Sequence, residues 1–159
     1  MKFRLTTTNK GQSMVEVTLA IGVAAVMIVG LVRVVTNAIY STTFARQQAQ
    51  ATKYAQEELE WLRSERDKDW DLFYTNTSAR DGSGYCMGNL VWTGAVPNES
   101  SATPCGANVV SGTEFSRWII VSVITVDKEV SVTAKVRWTD SKGSHTSVSS
   151  GSLTNWRVQ

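Results

Sequence analysis

Residues 17–32 contain no charged side chain, and their apolar character runs on through Val34, Val35 and Ile39, broken only by Arg33, Thr36 and Asn37. About 20 mostly apolar residues suffice to cross the hydrocarbon core of a bilayer. A basic residue near the end of such a segment can snorkel to the interface. A removable secretory signal has an apolar region of only about 7–15 residues and carries no internal acid. The run therefore reads as a retained membrane helix. One carboxylate, Glu16, stands at its edge. An ionised carboxylate inside a membrane helix costs roughly 2.5–3.5 kcal/mol on insertion scales, so an intramembrane acid is a functional residue by default.

The leader charges set the orientation. Lys2, Arg4 and Lys10 all precede the apolar run. Basic residues stay on the cytoplasmic side, so the C-terminal part is expected outside the cytoplasm. Cys86 and Cys105 then lie where disulfides persist, and the two together allow one intrachain bridge. Two sulfurs with no nearby histidine or second cysteine pair make a poor metal site. A net charge of +2 gives no nucleic-acid footprint.

The segment Lys10-Gly11-Gln12-Ser13-Met14-Val15-Glu16, leading directly into the apolar run, resembles the class III signal of type IV prepilins and pseudopilins. The resemblance implies cleavage after Gly11 by a prepilin peptidase. Gln12 would be the first mature residue and the candidate for N-methylation, and Glu16 the fifth. It also implies an assembly role for Glu16, pairing with the free α-amine of a neighbouring subunit. The partners implied are other pilin subunits and the pilus assembly machinery, with membrane contact through residues 17–39. The location implied is the inner membrane, then a surface pilus or periplasmic pseudopilus. The chain departs from the family in having Gln12 where Phe or Met is usual, and in lacking a proline within the apolar segment.

Beyond the membrane segment the helical pattern continues. Tyr40, Phe44, Gln48, Ala51, Ala55, Leu59 and Leu62 recur at spacings of three and four and form one apolar stripe. No glycine or proline interrupts residues 31–64. A single helix is expected from about Ser13 to about Glu65, on the order of 80 Å long. The charged run closing it reads as a solvated helix end over Trp61 or Trp70, with Arg63 and Asp67 placed to pair.

Residues 75–113 are rich in Gly, Ser, Thr and Asn and hold both prolines, Pro97 and Pro104, so they read as loop, with a short strand at Asn89-Leu90-Val91-Trp92. The last third reads as an antiparallel meander. Its first strand, residues 115–126, is β-branched and strongly apolar. The second alternates, with Val130, Val132, Ala134, Val136 and Trp138 on one face. The third, residues 144–153, is polar, with Thr146, Val148 and Ser150 on one side. The apolar stripe of the helix supplies a partner for the sheet. The expected fold class is therefore α+β, a long N-terminal helix packed on a small antiparallel sheet. That is also the architecture the resemblance implies. The stretches around residues 54–70 and 136–156 are similar to those of PilV-like minor pilins.

The expected organisation is a leader over 1–11, a membrane or filament-core half of the helix over 12–39, an amphipathic half over 40–72, and a head over 73–159. No enzymatic constellation emerges. His145 is the only histidine, it follows a turn, and it is read as an exposed surface residue with no nucleophile and orienter in reach. No glycine-rich phosphate loop or calcium-loop spacing is present, so no cofactor or metal is expected. The alternative to a filament subunit is a membrane-tethered adhesin or binding module that does not polymerise.

Overall fold

The computed structural model describes residues 14–95, 105 and 109–156. The chain divides into two compact units, Met1–Phe44 and Ala45–Gln159. Helix α1 (Met14–Lys68) contributes to both, as expected of a stretch that lacks internal breakers.

Within the first unit, α1 is apolar on every side. Leu19, Ile21, Ile28 and Leu31 are each more than 60% exposed. The few hydroxyls make no demand on their surroundings. Thr18 donates to the Met14 and Val15 carbonyls, Thr36 to Val32 and Thr42 to Ala38. By length and composition this helix can cross a membrane.

Within the second unit, one face of α1 is covered. Ala51, Ala55, Glu58, Leu59 and Leu62 are buried. The charged end pairs differently from the expected Arg63–Asp67 contact. Arg63 pairs with Glu60, and Asp67 with its neighbour Arg66. The helix ends at Lys68 because Asp69 turns to extended backbone and caps a second helix, α2 (Trp70–Ser78), by accepting the Leu72 N–H at 3.0 Å. The amphipathic segment expected over residues 40–72 is thus two helices at its C-terminal end.

The sheet has five strands in the order β2-β1-β3-β4-β5, all antiparallel. These are β1 (Gly84–Cys86), β2 (Thr93–Ala95), β3 (Ser116–Thr125), β4 (Glu129–Asp140) and β5 (Gly143–Thr154). The expected meander is present as β3, β4 and β5. The short strand expected at residues 89–92 is displaced: there the Leu90 N–H closes a turn onto the Met87 carbonyl at 3.2 Å, and the strand forms at Thr93–Ala95.

Strand β4 carries the main core. Val130, Val132, Ala134 and Val136 are fully buried and Trp138 is 1% exposed, while the alternate residues are half-exposed. Ile119 and Val121 of β3 pair with Ala134 and Val132 on the same face. Strand β3 lacks such alternation because residues 116–119 are buried on both faces. On the outer face Trp118 forms a second core with Cys86 and Cys105, and Ile120 packs against it.

Gly84 permits the β1–β3 approach. A Cβ there would lie 1.7 Å from the Ile119 carbonyl oxygen, whereas one at Gly151 meets nothing within 4 Å. Gly84→Ala should therefore destabilise the second unit by about 1–3 kcal/mol, the range for overpacking. Gly151→Ala should be nearly neutral. Urea unfolding of the full chain in detergent measures both. Equal midpoints for the two variants would refute the close approach.

Candidate functional site

Two regions carry features that packing alone does not explain. The first is the start of α1. Glu16 lies in its first turn, where a carboxylate is favoured by the positive end of the helix dipole. Its side chain is exposed, and no residue of the chain pairs with it among the described residues. Gly11 and Gln12, the expected cleavage pair and methylation candidate, lie outside the described residues.

The second region is the head around the disulfide. Cys86 and Cys105 are bonded, as read from the sequence. The bridge packs on Trp118, and the Cys105 sulfur also lies 3.8 Å from the Arg117 carbonyl. Arg117 itself points to the opposite face of β3 and is 2% exposed. Its Nε donates to the Met87 carbonyl at 2.9 Å and its Nη2 to the Gly88 carbonyl at 3.2 Å. Its Nη1 reaches the Tyr54 carbonyl at 3.4 Å and the Glu57 carboxylate at 3.3 Å. One guanidinium thus ties α1 to the chain that follows β1.

Glu58, next in the chain to Glu57, is fully buried. Neither of its carboxyl oxygens has a hydrogen-bond partner among the described residues. Burial pushes this carboxyl well above the ordinary 4.5; the Arg117 charge draws it part of the way back, and Glu57 adds a further upward push. The sequence pattern could have flagged Glu58, since residues 51, 55, 58 and 62 follow helical spacing as well as the chosen stripe does. Arg117 could likewise have been placed, because it shares inward parity with Ile119 and Val121. Polar identity overrode position in both cases.

His145 is less exposed than expected. Its ring lies 5.3 Å from that of Trp138, and its Nε2 lies 3.1 Å from the Asp140 carboxylate. No cluster of three or more His, Cys, Asp or Glu side chains suited to a metal occurs among the described residues.

Strand β5 forms one edge of the sheet. It runs for 12 residues in unbroken register with β4, and it contains neither proline nor lysine. Edges are usually blunted by such residues or by bulges. Beside it, Lys53, Gln56, Leu59, Glu60 and Arg63 of α1 and Ser149 of β5 line an open groove of about 660 Å³.

No family model, curated protein or solved structure matches this chain.

Two outcomes follow from the head. Replacing Cys86 and Cys105 with serine should lower its unfolding free energy by about 3 kcal/mol, the loop-closure value for a bridge spanning about 20 residues. Urea unfolding with and without reductant measures this, and unchanged midpoints would show that the bridge is dispensable. Glu58 gives a pH dependence of defined sign. The folded chain holds this proton more tightly than the unfolded chain does. Its contribution is complete below about pH 4.5 and is lost as pH rises through the elevated folded-state value. Glu58→Gln should shrink the fall in urea midpoint between pH 5 and pH 8. An equally steep fall in the variant would place the titrating group elsewhere.

Proposed function

We propose that this chain is a structural subunit, a minor pilin or pseudopilin, of a type IV pilus-like filament. It is inserted in the inner membrane with its C-terminal part outside the cytoplasm, cleaved after Gly11 by a prepilin peptidase, and assembled through helix packing. The observation that carries this reading is the first unit itself. Its helix is apolar on every side, its large apolar side chains are exposed within their own unit among the described residues, and it bears a carboxylate in its first turn. Such a surface is satisfied by lipid before assembly and by neighbouring helices afterwards. Gly22 and Gly30, with open space around both, leave room for close approach. Cleavage frees the α-amine of Gln12, and in a dry helix bundle that amine and the Glu16 carboxylate of a neighbour would neutralise each other.

The open edge of β5 and the groove beside it favour a second reading, a tethered binding module that takes up an extended ligand and does not polymerise. The two readings differ at Glu16. If the helix only anchors, Glu16→Leu removes a membrane penalty and changes nothing else. If the helix assembles, the change strands the neighbour's amine. Losing one partner of a desolvated pair costs about 3–5 kcal/mol, a depletion of two to three powers of ten. The variant should be inserted and cleaved, with a mature N-terminus at Gln12 by intact mass, yet be missing from sheared filaments. Equal ratios of filament-bound to membrane-bound protein for wild type and variant would sink the filament reading.

A further inference from the structure

Between Met14 and Phe44 the chain carries two charged side chains, Glu16 and Arg33. Both are exposed within their unit, and neither has an ion pair or hydrogen bond among the described residues. Arg33 follows Glu16 by 17 residues on one unbroken helix. At about 1.5 Å per residue the two stand about 25 Å apart along the axis, so they cannot neutralise each other within one chain. In a bilayer neither needs to, because a hydrocarbon core of about 30 Å places each near an interface that it can reach. Packing against other helices removes that water, and an isolated charge in a dry bundle is expensive.

We propose that this helix presents a self-complementary charge pair to a second copy of the chain: Glu16 of one subunit meets Arg33 of the next, the two parallel helices being shifted by about 25 Å. The inference deepens the filament reading and rests on it, since it requires copies of the chain to assemble.

Charge complementarity selects the occupant. Within Met14–Phe44 the only counter-charge for either residue is the other one, so a second copy satisfies both. A guanidinium holds a carboxylate through two parallel N–H donors, a strong and directional contact. The carboxylate has lone pairs to spare, so a neighbour's α-amine can share the same anion. The spacing also sets the symmetry. Over 17 residues the two side chains leave the helix about 100° apart around its axis. For one to face the other across two parallel helices, each copy must be turned by about 80° relative to the last. A shift combined with a turn is a heterologous contact that does not close, and such contacts generate open helical arrays. The shift also separates two stages of the subunit. Helices fully inserted in one bilayer share one depth, so a stagger of about 25 Å arises only when one of them has been drawn most of the way out. The contact belongs to the assembled state and not to the membrane pool.

The test places cysteines one helical turn along from each charge, Ala20→Cys and Asn37→Cys in the same full chain, which keeps the 17-residue offset. Within one chain these sites are too far apart to bond. Cys86 and Cys105 are already bonded to each other. Oxidation of filaments sheared from cells should give a ladder of disulfide-linked multimers, and membranes from the same cells should give none. Adding Arg33→Leu leaves Glu16 and the α-amine of Gln12 in place, so it tests this contact apart from the filament reading. It should cut the ladder about tenfold or more, the worth of a hydrogen bond to a charged partner, and Arg33→Lys should keep it. Without the cysteines, the ratio of filament-bound to membrane-bound protein should fall likewise for Arg33→Leu and hold for Arg33→Lys. Four results overturn the contact and leave the filament reading standing. They are no ladder from filaments that contain the chain, an equal ladder from membranes, a full ladder in Arg33→Leu, and an unchanged ratio for Arg33→Leu. Absence of the wild-type chain from filaments would remove both.

Discussion

The guanidinium of Arg117 stands where three stretches of chain meet, and no other side chain could take its place. A planar cation with five donors can serve acceptors that lie in different directions, as Tyr54, Glu57, Met87 and Gly88 do here. Burying it demands compensation, because removing either side of a desolvated charge network is strongly destabilising. The apolar contacts between α1 and β4 would hold a helix against a sheet in many rotational settings. The hydrogen bond to the Tyr54 carbonyl selects one. On the opposite face of the same strand, Trp118 fixes the disulfide. Strand β3 is therefore the central element of the head, with helix contacts on one side and the bridged loop on the other.

How far the sequence revealed this depended on how local the physics was. The uninterrupted α1 and the inward row from Val130 to Trp138 were readable because burial imprints a period on neighbouring residues. The bridge followed from compartment and from the count of cysteines. Strands β1 and β2 were missed because three residues are too few to show a period. The burial of residues 116–119 of β3 on both faces could be seen as apolarity, but its cause on the outer face, the Cys86–Cys105 bridge packed on Trp118, is a long-range contact that leaves no local trace. Helix α2 had a local signal in Asp69, obscured by Asp67 and Asp71 on either side. At the candidate site, Glu16 was legible through its position against the apolar run. Glu58 and Arg117 were not, because charged residues are rarely buried and a reading from residue type places them in water.

The chain thus contains two glutamates whose surroundings differ in opposite ways. Glu16 is exposed within its own unit and belongs to an apolar helix surface that is also exposed there among the described residues. Glu58 is enclosed by its own fold, within the field of a cation that other groups already hold. In the proposed reading the first acquires its partner only from another molecule. The second is fully buried with neither carboxyl oxygen hydrogen-bonded among the described residues, and burial favours its protonated form. Both illustrate that an acid in a low-dielectric setting stays neutral or finds a counter-charge.

The aromatic cluster around Trp92 has an optical consequence. Two indoles 5.2 Å apart at a tilt of 53°, those of Trp61 and Trp92, are close enough for their excited states to couple. One belongs to α1 and the other to the segment held by Arg117. The pair should give the folded head a near-ultraviolet circular dichroism signal that its isolated chromophores lack. Because Trp92 sits at the end of the strained turn, that signal reports the position of the segment without any label. Two of the other indoles, Trp70 on Asp127 and Trp156 on Asp67, are tied through their N–H groups to carboxylates. The molecule therefore carries its own spectroscopic ruler, set between α1 and the segment that joins β1 to β2.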